Sequence, residues 1–278
     1  MKIIDGKALA LKLREEIKAN VEKMKNKPGL AVVIVGDDGA SQIYVRNKIK
    51  ACGEVGIRSY SYELPTSATQ TEVENLLDDL AKNPEIDGIL LQLPLPKHLD
   101  SESAMAHIPV EKDVDGFSAE HLGLLTLHKE DIVACTPLGV MKLLESEHVD
   151  LKGKNAVVLG RSDTVGKPMA MLLLNADATV TVCHSKTKNV KEICQNADVI
   201  VSAVGKAAYV TADMVKDGAI VIDVGINRDA NGKLCGDVDF DAVKEKASLI
   251  TPVPGGVGPM TITMLMQNTY IAALKNKE

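Results

Sequence analysis

The sequence predicts an α/β protein of two domains, of which the second is built on a doubly wound parallel sheet. Short runs rich in valine, isoleucine and leucine alternate with amphipathic helical patterns along the chain, as they do in layered α/β proteins. The 278 residues suit one large domain or two of ordinary size. The hydrophobic fraction is 45%, with no Trp, two Phe and five Tyr, so we expect an aliphatic core that contains buried parallel strands.

The first half of the chain, residues 1–136, alternates helices and strands. An amphipathic helix places apolar residues from Ala8 to Met24 on one face. The patterns that follow predict a strand at 30–35, a helix at 41–55, a strand near 58–64, a helix near 71–81 and a strand at 88–93. This alternation indicates layered α/β structure.

From about residue 137 the alternation becomes more regular. Strands are predicted at 156–159, 179–183, 199–204, 219–224 and near 249–251, with helical segments between them, which is the pattern of a doubly wound sheet. A last helix, predicted at 261–276, follows a proline- and glycine-rich run and could return to the first half. We therefore expect one domain of residues 1–136 plus 262–278 and a second of residues 137–261.

Composition excludes several classes of function. The formal net charge is −6 and no basic stripe exists, which argues against nucleic-acid binding. The five cysteines form no CxxC pair and the six histidines show no ligand spacing, so we expect reduced thiols and no metal. Residues 1–16 follow a charged helical pattern and no apolar run is long enough for a membrane. These patterns predict a cytoplasmic protein.

A lysine lies within the apolar face of the predicted helix at 41–55. Helical periodicity groups it with a mostly apolar set of neighbours: Tyr44, Asn47, Lys48, Ala51, Cys52 and Val55. Removing an ammonium from water lowers its proton affinity, so Lys48 could act as a base near neutral pH. The alternative is a lysine whose amine reaches water at the rim of the core.

A glycine turn follows the first strand of the second half. Gly160, Arg161 and Ser162 come directly after the strand, and Val165 and Gly166 come at the start of the next helix. Backbone amides at such a turn and the helix N-terminus favour a dinucleotide diphosphate. The GxGxxG pattern is incomplete, since Ser162 replaces the middle glycine and the last glycine is one position late, so an ordinary turn between a strand and a helix is the alternative.

The end of the next strand favours NADP over NAD. NAD-preferring sites have a carboxylate there for the ribose 2′-hydroxyl, whereas this chain has Ser185 and Lys186, with Arg161 on the glycine turn. A hydroxyl and a cation suit a 2′-phosphate, although a solvated polar strand end is the alternative. Val204, Gly205 and Ile226 follow further strands at the same carboxyl edge and are also predicted to bind the cofactor.

Five segments carry a more specific resemblance. They are residues 41–48 (SQIYVRNK), 91–96 (LQLPLP), 112–117 (KDVDGF), 135–137 (CTP) and 252–261 (PVPGGVGPMT). With them the chain closely resembles the bifunctional methylenetetrahydrofolate dehydrogenase/methenyltetrahydrofolate cyclohydrolase family over almost its whole length. The resemblance implies an N-terminal α/β catalytic domain, a Rossmann-type NADP domain, an active-site cleft between them, and a homodimer.

The same resemblance implies a reaction and roles for individual residues. NADP⁺ would oxidise 5,10-methylenetetrahydrofolate to the 5,10-methenyl form, and water would then open the ring to 10-formyltetrahydrofolate. Lys48 would be the key catalytic group and Gln92 its hydrogen-bonding neighbour, Tyr44 would stack on the p-aminobenzoyl ring, and Asp115 would bind the pterin. Pro254, Gly255 and Gly256 would let the backbone approach the substrate.

Each of these residues also has a plain structural interpretation. Gln92 could satisfy a buried strand end, Asp115 could cap a turn before Gly116, Tyr44 could be a core residue, and the glycine run could be only a turn. Three other functions stay open: an NADP dehydrogenase of another small substrate such as a hydroxy acid or a shikimate-like compound, a non-catalytic nucleotide-binding module, and an enzyme that retains one of the two activities.

Overall fold

The computed structural model describes residues 1–39 and 41–276, together with the helical backbone at residue 40. In chain order the strands are β1 (Lys2–Ile3), β2 (Gly29–Val35), β3 (Arg58–Leu64), β4 (Gly88–Leu91), β5 (Asn155–Leu159), β6 (Thr179–Cys183), β7 (Val199–Ser202), β8 (Ile220–Asp223), β9 (Asn227–Arg228), β10 (Leu234–Cys235) and β11 (Leu249–Ile250). The α-helices are α1 (Gly6–Lys23), α2 (Gly39–Val55), α3 (Gln70–Lys82), α4 (Ser101–Met105), α5 (Ala119–Thr126), α6 (Cys135–Ser146), α7 (Gly166–Asn175), α8 (Val190–Gln195), α9 (Phe240–Val243) and α10 (Val257–Asn276).

Contacts divide the chain into two compact units. The small-sheet unit contains Lys12–Val133 and the chain from Ile262 onward, and the large-sheet unit contains Met1–Leu11 and Ala134–Thr261. Each unit has its own parallel sheet and its own apolar core. Two α/β domains are therefore present, as the sequence predicts.

The small-sheet unit is built on three parallel strands in the order β3-β2-β4. The central strand β2 is buried at every position, because helices and the two flanking strands surround its continuous apolar run. The helix α3 begins with a capping box in which Thr69 and Glu72 satisfy each other's backbone amides. Since parallel strands end at the same edge, the residue after β4 lies at the carboxyl edge of this sheet.

The large-sheet unit is built on six parallel strands in the order β1-β11-β8-β7-β5-β6. This is the Rossmann-type sheet that the strand–helix alternation predicts. The strands β5, β7 and β8 are almost entirely buried, whereas the edge strand β6 is largely exposed. A small antiparallel hairpin of β9 and β10 follows β8.

The chain termini differ from the sequence prediction. The first residues were assigned to the N-terminal domain as part of a helix, but β1 pairs with β11 in the large sheet, with Lys2 opposite Leu249. A two-residue strand is too short to leave an alternating pattern in the sequence. The helix α10 begins at Val257, four residues before the predicted start, because Pro259 lies in its first turn, where a missing amide hydrogen costs nothing. None of the described helices combines the length and apolar character that a membrane crossing requires.

Candidate active site and nucleotide pocket

Helix α2 fixes the position of Lys48. It begins after Asp38, whose carboxylate accepts a hydrogen bond from the amide of Ser41, and it ends at Gly56, which adopts the left-handed conformation with φ of 80°. These two caps define where the helix starts and stops, so the side chains at intervening positions have a fixed rotation about its axis.

The buried face of α2 contains Lys48 but is rotated from the prediction. Its buried members are Ser41, Val45, Ala51, Cys52 and Val55. Lys48 falls in register with this set and is half-buried, while Asn47, which was predicted on the same face, is exposed. Lys48 is therefore at the border of the apolar face, and it is not submerged in the core.

The amine of Lys48 contacts Gln92 at the carboxyl edge of the small sheet. Lys48 Nζ donates a hydrogen bond of 3.0 Å to Gln92 Oε1. The Gln92 backbone amide donates to Val33 O at 2.8 Å, and its side-chain Nε2 donates to Leu93 O at 2.6 Å. Because the amide nitrogen is held by the backbone, the amide oxygen is directed at the lysine.

Asp115 lies near the same amine. Burial raises the pKa of the Asp115 carboxyl to about 6, the positive charge of Lys48 acts in the opposite direction, and the neighbouring charge of Asp113 raises the pKa further. The turn at Gly116 is capped by Asp113, whose carboxylate accepts from the amides of Gly116 at 3.0 Å and Ser118 at 2.7 Å. The turn-capping role considered for Asp115 is thus performed by Asp113.

Tyr44 is one helical turn before Lys48 on α2. Its ring is half-buried, and burial raises the pKa of its hydroxyl above the usual value of 10.0. The side chain is therefore a neutral phenol at physiological pH, with an apolar ring beside the Lys48 amine. Lys48, Gln92, Asp115 and Tyr44 all belong to the small-sheet unit.

Pro254, Gly255 and Gly256 belong to the large-sheet unit, in the segment between β11 and α10. Gly255 has a φ of +105° and its carbonyl accepts from the amide of Lys7 at 3.0 Å. A Cβ on Gly256 would be 2.6 Å from Pro252 O. The segment therefore needs glycine for conformation and for close packing.

The glycine turn after β5 is tightly packed. Gly160 has a φ of +116°, and a Cβ on it would be 2.4 Å from the carbonyl oxygen of Ala203. Ser162 Oγ accepts from the amides of Val165 at 3.2 Å and Gly166 at 3.3 Å. These two amides at the start of α7 are thus bonded within the protein, which differs from the expectation that helix-terminal amides face the diphosphate.

A pocket of about 360 Å³ opens at the carboxyl edge of the large sheet. Four residues predicted from the sequence line it: Gly160, Arg161, Ser185 and Val204. The other predicted cofactor residues are not among those that line it: Ser162 and Gly205 adjoin lining residues in the chain, whereas Val165, Gly166 and Ile226 do not.

Lys206 and Tyr209 also line this pocket, although neither is among the residues predicted to bind the cofactor. The ammonium of Lys206 is 5.8 Å from the centre of the Tyr209 ring, which is cation–π distance. Their position depends on the loop after β7, for which the sequence offers only the signal of a glycine at 205.

The pocket lining fits an NADP-type dinucleotide. Arg161 and Lys206 supply cations and Ser185 a hydroxyl, while no Asp or Glu is among the residues that line it. Glycine at position 160 allows the turn to pack closely against Ala203, which is itself part of the pocket lining. This donor set suits a phosphate on the ribose and lacks the carboxylate that a 2′-hydroxyl would select.

Comparisons with known proteins identify the family. A family model described as the catalytic domain of tetrahydrofolate dehydrogenase/cyclohydrolase matches residues 4–115. A second model, described as the NAD(P)-binding domain of the same family, matches residues 134–277. The bifunctional protein FolD of Campylobacter concisus is 58% identical over 276 residues, which cover 98% of this chain and 98% of that protein.

Solved structures agree with these matches. The crystal structure of the bifunctional FolD methylenetetrahydrofolate dehydrogenase/cyclohydrolase from Campylobacter jejuni superimposes with a TM-score of 0.97 at 50% identity, covering 99% of each chain. The Trypanosoma brucei FolD structure, complexed with NADP cofactor and inhibitor, has a TM-score of 0.94 at 40% identity and covers 100% of this chain and 99% of that one. The chain therefore belongs to the tetrahydrofolate dehydrogenase/cyclohydrolase family that its sequence segments resemble.

Proposed function

We propose that this chain catalyses both reactions of its family, oxidation of 5,10-methylenetetrahydrofolate with NADP⁺ and hydrolysis of the methenyl product to 10-formyltetrahydrofolate. The observation that carries this proposal is the contact between Lys48 Nζ and Gln92 Oε1 at 3.0 Å, with the Asp115 carboxyl close enough for its pKa to respond to the lysine charge. The site thus brings together the amine of Lys48 as a base, the neutral amide of Gln92 that orients it, and the Asp115 carboxylate, which can accept hydrogen bonds from the N–H groups of the pterin.

In the oxidation step the small-sheet unit binds and orients the folate. NADP⁺, when bound, supplies the acceptor for the hydride that leaves the one-carbon bridge. The ring of Tyr44 offers an apolar surface on which the p-aminobenzoyl group stacks. The carboxylate of Asp115 accepts hydrogen bonds from the planar donor edge of the pterin. The backbone of Pro254, Gly255 and Gly256 contributes to substrate binding, as the family resemblance implies.

In the hydrolysis step Lys48 acts as the general base. The oxygen of water bonds to the methenyl carbon while its proton passes to the Lys48 amine. The hydroxyl group formed on that carbon then gives up its remaining proton as the bond from the carbon to one of its two ring nitrogens breaks. The proton held by Lys48 passes to this nitrogen, so one proton is released overall. Gln92 holds the amine by its carbonyl oxygen without adding a charge.

The large-sheet unit selects the dinucleotide. Arg161, Ser185 and Lys206 form a donor set for the 2′-phosphate of NADP, and a relative of the chain has been solved with NADP. We expect Arg161→Ala to weaken the binding of NADP⁺ by about tenfold or more, since one charge-assisted contact contributes on the order of 1.5–3 kcal/mol. The affinity for NAD⁺ should stay within about twofold of the wild-type value. Equal loss for the two coenzymes in steady-state kinetics would contradict this assignment.

A two-stage absorbance assay tests the function as a whole. Methylenetetrahydrofolate and NADP⁺ should yield NADPH, followed by decay of the methenyl chromophore as the second activity acts. Turnover of a hydroxy acid or a shikimate-like compound in place of the folate would favour the rival dehydrogenase. NADP binding with no folate turnover would favour a non-catalytic module, and a persistent chromophore would indicate that only the first activity is retained.

We also propose a homodimer that forms through the large-sheet unit, and a cytoplasmic location. The strand β6 supports the first, because it ends the sheet and leaves one side of its backbone unpaired. The cysteines support the cytoplasmic location, because Cys52, Cys135, Cys183, Cys194 and Cys235 are all free thiols, as is usual in reducing compartments.

A further inference from the structure

The buried carboxylate of Asp237 binds the backbone of a loop that forms one wall of the nucleotide pocket. The oxygens of Asp237 accept hydrogen bonds from three consecutive backbone amides after β7: Val204 at 2.7 Å, Gly205 at 3.2 Å and Lys206 at 2.9 Å. Val204 and Lys206 line the pocket. The conformation of this wall is therefore determined by a side chain from a distant part of the sequence.

Asp237 has no access to the pocket itself. Its relative exposure is 0%, and its remaining acceptor positions are occupied by Ser202 Oγ at 3.2 Å and Asn227 Nδ2 at 2.8 Å. Five donors therefore surround this one carboxylate. Any influence on the dinucleotide must pass through the loop that it holds.

The residues on either side of the β9–β10 hairpin hold Asp237 against the loop after β7. A second buried carboxylate, Asp223, accepts from the amides of Gly225, Asp237 and Val238, each at 2.9 Å. A Cβ on Gly225 would be 2.2 Å from Asp237 Oδ1, and a Cβ on Gly236 would be 1.9 Å from Asp223 Oδ2. Only glycine at these two positions lets both carboxylates reach the backbone so closely.

Without this acceptor the loop after β7 would lose its conformation. Three successive amides point at one carboxylate, and Gly205 between them has a φ of +67°. Buried amides that lose their partner are costly, so the segment would turn them toward water or into the pocket. Either change would alter the surface that Val204 and Lys206 present.

We propose that Asp237 is a positioning residue for the dinucleotide, acting through the backbone of Val204, Gly205 and Lys206. This inference rests on the proposed function of the pocket as the coenzyme site. Because the wall that Asp237 shapes includes Val204 as well as Lys206, loss of Asp237 weakens the binding of NADH as well as that of NADPH. The loss of NADH affinity separates it from Arg161, which acts on the phosphate alone.

The test compares Asp237→Asn with Asp241→Asn in the full-length protein. The carboxylate of Asp241, whose side chain is 86% exposed, bonds to Lys244 at 2.6 Å, so its variant is a matched control for loss of one charge in the same unit. Dissociation constants for NADPH and NADH are measured by coenzyme fluorescence, and cyclohydrolase activity is measured without coenzyme. We expect Asp237→Asn to raise both dissociation constants by about tenfold or more, as displacement of a binding surface would. Its cyclohydrolase activity should stay within about twofold of the wild-type value, and so should all three quantities in Asp241→Asn.

Unchanged coenzyme affinity in Asp237→Asn, or a parallel loss of cyclohydrolase activity, would overturn the inference. If that variant does not fold, Ser202→Ala removes one donor from the carboxylate at a site that is also 0% exposed. It should raise both dissociation constants together by about threefold, the scale of one modest hydrogen bond, and no change would count against the proposal. If the pocket were not the coenzyme site at all, Arg161→Ala would leave NADPH affinity intact, which distinguishes that failure from this one.

Discussion

The amine of Lys48 is neither immersed in the core nor free in solvent, and this intermediate position suits a base. It is half-buried on α2 and bonds to the neutral amide of Gln92 at 3.0 Å. A fully buried amine would have no path to water, whereas a fully exposed one would have no fixed direction. The border of the apolar face supplies both access and orientation.

The first prediction concerns this amine. Lys48→Met keeps the length and apolar stem of the side chain but removes the proton acceptor, so cyclohydrolase activity should fall by about a hundredfold to ten-thousandfold. Hydrolysis of methenyltetrahydrofolate is followed by loss of its absorbance. Lys50→Met is the control, since its side chain on the same helix is 79% exposed and lies 4.0 Å from Glu54. Hydrolysis at the wild-type rate in the Lys48 variant would refute the role given to this residue.

Asp115 makes folate binding dependent on pH. Its pKa is raised to about 6, so the fraction of carboxylate is nearly complete at neutral pH and falls as the pH drops through that value. Only the carboxylate can accept two donors from the pterin edge. We therefore expect the KM for methenyltetrahydrofolate to rise by about tenfold between about pH 7 and about pH 5, in step with the lost carboxylate.

The comparison variant for this prediction is Asp115→Asn. It cannot ionise, so its KM should be high at neutral pH and change little over the same range. A wild-type KM that does not respond to pH, or a variant with the same pH profile as the wild type, would show that another group is responsible.

Glycine residues determine how closely the segments around the nucleotide pocket pack. The turn between β5 and α7 needs Gly160 for two separate reasons, a φ of +116° and a gap of 2.4 Å between a Cβ at this position and Ala203 O. Gly153 has a φ of +70° with nothing near its Cβ position. The pair therefore separates conformational strain from steric conflict.

We predict that Gly160→Ala lowers the free energy of unfolding and disrupts coenzyme binding, whereas Gly153→Ala does only the first. Strain from positive φ costs about 1–3 kcal/mol in either variant. The Gly160 variant must also move the loop at Ala203, which adjoins the pocket, so its dissociation constant for NADPH should rise by about tenfold or more. Thermal unfolding and coenzyme fluorescence measure the two effects. Equal coenzyme affinity in the two variants would contradict the steric explanation.

The elements were predictable from sequence where local patterns govern them. The strands β3 and β6 have the predicted limits, because their ends coincide with turn residues. The predictions for β4 and β7 extend two residues too far, since Leu93 and Val204 continue the apolar run after the ladder has ended. The register of Lys48 on its helix was predictable for the same local reason, whereas the exposure of Asn47 depends on which neighbours pack against α2.

Long-range contacts were not predictable from local patterns. Asp237 binds amides more than thirty residues earlier in the chain, and nothing in its own neighbourhood except Gly236 signals that. Likewise, β1 pairs with a strand near the opposite end of the sequence. Lys48 was predictable as a candidate base from its place in the apolar face of a helix, whereas Gln92 and Asp115 were identified because their segments resemble a known family. The structure adds the contact that joins Lys48 and Gln92.

At the scale of the whole molecule, the edge of the large sheet is a candidate surface for self-association. The large sheet ends in β6, which among the described strands pairs only with β5. Val182 on this strand is 36% exposed and Leu174 on the neighbouring helix α7 is 52% exposed. An edge strand with exposed apolar residues is a surface on which a second chain can pair, and this observation gives the proposed homodimer a location.

The prediction that follows is that Val182→Lys converts the protein to monomers. A lysine on an edge strand opposes pairing, because association would bury its charge against the partner strand. Light scattering after size-exclusion chromatography should give twice the mass of one chain for the wild type and the mass of one chain for the variant. Leu127→Lys is the control, since Leu127 is 66% exposed in the small-sheet unit and its variant should stay dimeric. A wild type that is monomeric at micromolar concentration would contradict the proposed dimer. A Val182 variant that remains dimeric would exclude β6 as the interface, because the added charge at that edge would then have no effect on association.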